Sequence, residues 1–213
     1  SRSALFENRS GTFVLLQSQL ELFSHLSLVT DVASGDMDGD GDMDVLSASS
    51  GDNTIGWYEN DGSENFTTHP ITTTADYANS VYAADVDGDG DMDVLSASGG
   101  DNTIAWYEND GSENFTTHAI TPSADGAHSV YAADLDGDGD LDVFLYGQLT
   151  PPVLLTNDGS GTFSGQSMPE WDDPDFGGCG GSASWADFDL DGDLDLYYGR
   201  LGVVRSVNDA PPA

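Results

Sequence analysis

The sequence predicts an all-β repeat protein assembled from four-stranded antiparallel units. Three observations carry that prediction. A nine-residue acidic stretch occurs four times, starting at Asp36, Asp85, Asp134 and Asp187, with spacings of 49, 49 and 53 residues. Residues 54–69 recur as residues 103–118 with Ala105 in place of Gly56 as the only change, so both segments must fold alike. Short runs of alternating apolar and polar residues are bounded by Gly, Asn and Asp, and no useful helical periodicity appears.

The acidic stretch comes first because it constrains the chemistry most. Asp85-Val86-Asp87-Gly88-Asp89-Gly90-Asp91-Met92-Asp93 places a carboxylate at every second position. Two charges roughly 5 Å apart at an effective dielectric of about 20 repel by about 3 kcal/mol, so the loop needs a cation to close. The other copies hold Asp36, Asp38, Asp40, Asp42 and Asp44; Asp134, Asp136, Asp138, Asp140 and Asp142; and Asp187, Asp189, Asp191, Asp193 and Asp195. A hard ion taking six to eight oxygens fits this donor set, which favours calcium over magnesium or a transition metal. Positions one, three, five and nine offer side-chain oxygens and position seven a backbone carbonyl. Position six must turn sharply, and it is glycine in each copy: Gly41, Gly90, Gly139 and Gly192. Leu190 replaces the glycine found at position four in the other three copies.

The EF-hand is excluded. Position twelve, where that loop needs a bidentate Glu, is Ser47, Ser96, Leu145 and Tyr198, and strand-like residues rather than helices follow. A calcium β-helix is excluded as well, because its repeat is far shorter.

Within one unit, residues 80–84 lead into the acidic loop and residues 93–98 leave it as a second strand. Residues 103–108 form a third, and Asn109-Asp110-Gly111 turns the chain into a fourth over 114–120. Units of this length with four strands fit the blade of a β-propeller. Residues 5–13 match a third strand, turn and fourth strand, and the last repeat supplies two strands and a third over 203–207. Seventeen strands result, one more than four closed blades hold. The expected organisation is a partial blade over 1–22, repeats over 23–75, 76–124 and 125–177, and a partial repeat over 178–213. The end pieces could pair to close a ring; the preferred expectation is a segment of a longer propeller or array.

The pattern Asp-x-Asp-x-Asp-Gly-x-x-Asp, followed by Val/Leu pairs and an Asn-Asp-Gly-Ser-x-x-Phe hairpin, resembles the FG-GAP/VCBS repeat. That is the calcium-binding blade of integrin-α-like propellers and of many bacterial surface proteins. The resemblance implies a metal loop between a blade's first and second strands, with about four calcium ions per chain. It further implies side-chain ligation from positions one, three, five and nine. Asp42, Asp91, Asp140 and Asp193 would then act through their carbonyls. The closing Val-Asn-Asp-Ala-Pro is similar to junctions before cadherin-like modules of large surface proteins, which implies further blades or modules beyond this segment.

Composition limits the partners. The formal charge is −35, from 39 acidic residues against four arginines. Four divalent ions would leave the surface strongly acidic, so nucleic acid and anionic membranes are disfavoured. No run of about 20 apolar residues is present to insert in a membrane. The lone Cys179, within Gly177-Gly178-Cys179-Gly180-Gly181, excludes an internal disulfide framework and reads as a small residue in a glycine loop.

Trp57 and Trp106 alternate with Ile55 and Ile104, which predicts blade core; Trp185 is expected near the centre. His69 and His118 occupy equivalent positions and read as structural or surface residues rather than ligands. No Ser-His-Asp or Cys-His constellation can be built, so no catalytic residue is expected. The third repeat carries an insert over 166–181 with Trp171, Asp172, Asp173, Asp175 and Phe176, where Trp171 is a candidate for ligand stacking. These features predict a non-enzymatic extracellular module for adhesion, or for recognition of a protein or surface. A lectin-like propeller is the alternative, since lectins and carbohydrate-attached modules resemble this family; Tyr77, Asn79 and His128 before their loops are suggestive but do not repeat. A polysaccharide-cleaving enzyme is disfavoured, because four arginines are few to neutralise an acidic sugar.

Overall fold

The computed structural model describes residues 6–9, 12–15, 28–63, 65–121, 123–147, 153–167, 182–188, 194–200 and 203–207. Seventeen strands and no helix lie among the described residues. None of them therefore forms a helix long and apolar enough to cross a membrane. A hairpin of β1 (Phe6–Arg9) and β2 (Thr12–Leu15) comes first. The first complete sheet holds β3 (Val29–Gly35), β4 (Asp44–Ser49), β5 (Thr54–Asn60) and β6 (Phe66–Thr72). The second holds β7 (Ala78–Ala84), β8 (Asp93–Ser98), β9 (Thr103–Asn109) and β10 (Phe115–Thr121). The third holds β11 (Ala127–Ala133), β12 (Asp142–Gly147), β13 (Val153–Asn157) and β14 (Phe163–Ser167). A three-stranded sheet of β15 (Ser182–Ala186), β16 (Asp195–Arg200) and β17 (Val203–Val207) follows. Each sheet is an antiparallel meander in chain order.

The hairpin between third and fourth strands forms because the turn aspartate folds back on its own backbone. Asp61 Oδ1 accepts the N–H groups of Ser63 (2.9 Å) and Asn65 (3.1 Å), and Gly62 supplies the left-handed φ of 70°. Asp110 with Gly111 and Asp158 with Gly159 repeat the device. Asn65 donates its side-chain amide to Asp61 Oδ2, which adds a tie across the turn.

Because side chains alternate along a strand, the second complete sheet buries both faces. Leu95, Ile104 and Trp106 pack with Val130, Val143 and Leu145 of the third sheet. From the same strands, Val94, Ala105 and Tyr107 pack with Leu46, Ile55 and Trp57 of the first. The expectation of core tryptophans holds for Trp57 and Trp106, which are 1% and 4% exposed. Each stacks on its blade's histidine: Trp57 on His69 at 4.5 Å and Trp106 on His118 at 4.6 Å. The histidines pair in turn with Glu59 and Glu108 at 2.8 and 2.6 Å. Both His residues are thus structural, as read from their repetition. Trp171, Cys179 and the rest of the insert beyond residue 167 lie outside the described residues, as does the side chain of Trp185.

Neighbouring sheets are joined along their first strands. A register irregularity falls at Thr30 in β3 and at Asn79 in β7. There Thr30 Oγ1 donates to Ala78 O (2.6 Å), and Asn79 Nδ2 donates to Ala127 O (2.8 Å). Asp31 adds a tie, accepting Ser80 Oγ at 2.9 Å and Val81 N–H at 3.2 Å.

Candidate metal centre

The acidic loops lie between the first and second strands of the three complete sheets and between β15 and β16, where the sequence predicted them. Two glycines in each of the three described loops make the path possible. Gly39, Gly88 and Gly137 at position four have φ of 73–79°, and Gly41, Gly90 and Gly139 at position six have φ of 96–101°. A side chain at either place would be strained. Each loop then winds through turns made by its own carboxylates. Asp38 Oδ1 accepts Asp40 N–H (3.1 Å), Asp40 Oδ1 accepts Asp42 N–H (2.8 Å), and Asp36 Oδ2 accepts Gly41 N–H (3.1 Å). The same three bonds recur from Asp87, Asp89 and Asp85, and from Asp136, Asp138 and Asp134.

This winding converges the carboxylates. Oxygens of Asp36, Asp38 and Asp40 lie within 4.8 Å of one another, as do those of Asp85, Asp87 and Asp93 and those of Asp134, Asp136 and Asp142. Positions one and three therefore meet in all three described loops, joined by position five in the first and position nine in the others. Asp187 opens the fourth loop and Asp195 closes it at the start of β16, whereas Asp189, Asp191 and Asp193 lie outside the described residues.

Position nine does more than close the loop. Asp93 is fully buried; its Oδ2 accepts Val86 N–H at 3.0 Å and its Oδ1 accepts Asn109 N–H at 2.7 Å. Asp44 and Asp142 do the same with Met37 and Asn60, and with Leu135 and Asn157. The carboxylate thus ties its loop to the end of the blade's third strand. Burial pushes the Asp93 carboxyl up to about 6, against the pull of those N–H groups, and raises Asp142 in the same way. Burial and neighbouring carboxylates also raise Asp38, Asp87 and Asp136.

Position seven directs its side chain toward the hairpin. The carboxylates of Asp42, Asp91 and Asp140 turn away to lie against the hairpin glycines Gly62, Gly111 and Gly159, where an added Cβ would collide with them. Sequence reading missed this contact, and it missed the asparagine that starts each hairpin. Asn109 Nδ2 donates to Met92 O within its own blade (3.1 Å) and to Met37 O in the preceding loop (3.0 Å). Asn157 Nδ2 likewise donates to Leu141 O (3.1 Å) and to Val86 O (2.8 Å). The signal was present, since Asn stands before Asp-Gly in all three hairpins, but it reads equally well as a turn former.

The donor set fits a hard divalent cation. Asp36 Oδ1 and Asp85 Oδ1 are buried with no hydrogen-bond partner in the protein. A buried acceptor without a donor is costly, and an anionic one more so. Both belong to position one of a converging cluster, where a cation would satisfy them.

A second concave feature lies between the first strands. β3, β7 and β11 line a cavity of about 420 Å³, into which Tyr82 and Tyr131 bring rings 5.0 Å apart.

Comparison with known proteins follows the same lines. The FG-GAP-like repeat family matches residues 36–96 and 85–145, each match running from one acidic loop through the next. A search of curated proteins finds no sequence match. Among solved structures, the chain is similar to an Agrocybe aegerita lectin, described in terms of specific recognition of non-reducing terminal N-acetylglucosamine. The two are 21% identical with a TM-score of 0.57, over 80% of this chain and 48% of the lectin. This chain therefore spans about half the length of the structure it matches.

Proposed function

The chain belongs to the FG-GAP-like repeat family, and on that premise we propose that it is a calcium-stapled recognition module of β-propeller type. The observation that carries the reading is the triple recurrence of converging carboxylates, two of them holding a buried oxygen without a donor. Positions one, three, five and nine would hold the ion, which supplies the positive charge that lets the loop close. The chain's own residues do the rest. The carboxylate turns preset the loop, and position nine passes its restraint to the third strand.

The role of the metal in this reading is structural. The loop's oxygens fill most of a calcium shell, whereas a catalytic ion needs an open position and a base beside it. The module is non-enzymatic and works outside the cell, where calcium is abundant enough to fill such loops. At a hundredfold excess over Kd, each bound ion would stabilise the fold by about 2.7 kcal/mol. Four ions per chain are expected if the fourth loop binds like the others.

Two ligand classes are open to such a module, a protein surface or a glycan. The likeness to a lectin favours the glycan, as does the strongly acidic surface, which disfavours anionic partners. Calcium titration by calorimetry, with thermal unfolding in calcium and in chelator, tests the scaffold. About four ions and a large fall in Tm on chelation support it; no binding and an unchanged Tm refute it. A screen of glycans and matrix proteins in calcium then separates the ligand classes.

A further inference from the structure

We infer that Tyr77 is the stacking platform of a binding site for a neutral sugar, on the loop that enters the second complete sheet. The inference rests on the glycan reading above and gives that reading a location. It starts from an outlier of the backbone. Tyr77 has φ of 54°, in the left-handed region that bulky residues avoid. The equivalent residues one repeat away on either side are Leu28, at φ 66°, and Gly126, at φ 63°. The third sheet shows that glycine satisfies this position without strain. In the other two, a large side chain is held there at a cost, and it is held outward: Tyr77 is 61% exposed and Leu28 is 55% exposed. Strain kept where the fold does not require it points to a use for the side chain.

The mounting of Tyr77 is rigid. Its N–H donates to Asn53 Oδ1 at 3.1 Å, and its carbonyl accepts Gly99 N–H at 3.0 Å. Both partners belong to the turn between second and third strands, of the first and second sheets respectively, so the ring stands at a junction of two sheets. The ground around it is bare backbone carrying polar groups. A Cβ at Gly99 would collide with the Asn79 amide, and one at Gly100 with the Asp76 carboxylate. These glycines let Asn79 and the exposed Asp76 lie across the turn whose Gly99 N–H binds the Tyr77 carbonyl.

An exposed aromatic side chain whose neighbour in the chain is an exposed carboxylate suits a pyranose, whose C–H face stacks while its hydroxyls donate. The same carboxylate, within a chain of net charge −35, repels sulfated and uronic sugars. The sugar class is therefore neutral.

The test uses the full chain in calcium, with N-acetylglucosamine oligomers, neutral galactosides and sulfated glycans as probes. Calorimetry on the unaltered protein should show binding to a neutral probe and none to the sulfated ones. Tyr77→Gly should weaken that binding at least about tenfold while its Tm stays level or rises, because glycine relieves the strained φ. Tyr77→Phe should keep most of the affinity, and Asp76→Asn should lose part of it. Tyr82→Ala, in the cavity between the first strands, should bind like the unaltered chain. If the unaltered chain binds a neutral sugar and Tyr77→Gly binds it equally well, the site lies elsewhere and this inference fails alone. If it binds none of the probes, the glycan reading fails and this inference with it. A lower Tm in Tyr77→Gly would show that the ring serves the fold, which also overturns the assignment.

Discussion

Asn109 donates its side-chain amide to the carbonyl of Met37, 3.0 Å away and 72 residues earlier in the chain. Its backbone N–H meanwhile binds Asp93, the closing carboxylate of its own acidic loop. Asp93 in turn accepts Val86 N–H, and Val86 O receives the amide of Asn157, whose N–H binds Asp142. The three described loops are thus linked by one continuous run of hydrogen bonds through both sheet junctions. Ordering one loop orders the carbonyl that the next blade's asparagine needs.

The first prediction follows from this run. Asn109→Ala leaves the buried Met37 carbonyl without its donor, so it should cost about 1–3 kcal/mol in urea unfolding. Asn157→Ala should cost a similar amount. In calcium titrations of the unaltered chain the sites should fill cooperatively, and Asn109→Ala should flatten the isotherm while leaving the ion count unchanged. Independent sites in the unaltered chain would show that the run carries no coupling.

How much of this was legible beforehand can be judged from particular residues. The seventeen strands, the loop between first and second strands and the core places of Trp57 and Trp106 all follow from periods of two and 49. Local patterns suffice there because each strand's alternation and each Asx turn is decided within a few residues. The position-nine carboxylate was legible as a candidate ligand, whereas its anchoring of the third strand was not legible. That role depends on a contact 16 residues away. The partnership of Asn109 with Met37 crosses between sheets, and no local pattern announces it. Tyr77 was noticed as an aromatic before a loop, but its left-handed φ is a property of the folded junction.

The second prediction concerns pH. In calcium-free protein the Asp93 carboxyl is raised by burial from its ordinary 3.8 to about 6. Between those values the folded state holds more protons than the unfolded one, so stability falls as pH rises through the window. Asp142, Asp38, Asp87 and Asp136 are shifted in the same direction. Calcium-free protein should therefore melt higher near pH 4.5 than near pH 7. In millimolar calcium the order should reverse, because the ion requires the charged carboxylates. Below about 4 an opposite effect enters. The side chains of Asn65, Asn114 and Ser160 hold Asp61, Asp110 and Asp158 below the usual carboxylate range, and protonation there loosens the hairpins. A calcium-free Tm that climbs steadily from pH 4.5 to pH 7 would contradict the burial argument.

The third prediction addresses the stacked pairs. Trp106→Ala removes a buried indole shared by two sheets and should cost about 3–5 kcal/mol. His118→Ala removes only the ring stacked on it at 4.6 Å and should cost about 0.5–1.5 kcal/mol. Glu108→Gln should cost less again, since the pair it makes with His118 is open to solvent. Near-ultraviolet circular dichroism should change for His118→Ala and stay the same for Glu108→Gln. Equal losses from all three would mean that the ion pair, not the stack, orders this face.

The last prediction tests why position seven carries a carboxylate that turns away from its own loop. Asp91 lies against Gly111, which has φ of 70° and no room for a Cβ. Gly111→Ala therefore meets two obstacles, the collision and the left-handed backbone, and should cost more than about 1 kcal/mol. The collision should also push Asp91 and weaken calcium binding at the second loop, since the backbone carbonyl of Asp91 is the expected ligand. Asp91→Ala alone should leave calcium affinity close to that of the unaltered chain, because only the side chain is lost. The double variant separates the two obstacles. Removing the carboxylate relieves the collision but not the strained φ, so Asp91→Ala with Gly111→Ala should recover calcium affinity fully and stability in part. Full recovery of both would mean that φ at this turn costs nothing. No recovery of affinity would mean that the Asp91 side chain, rather than its carbonyl, reaches the ion.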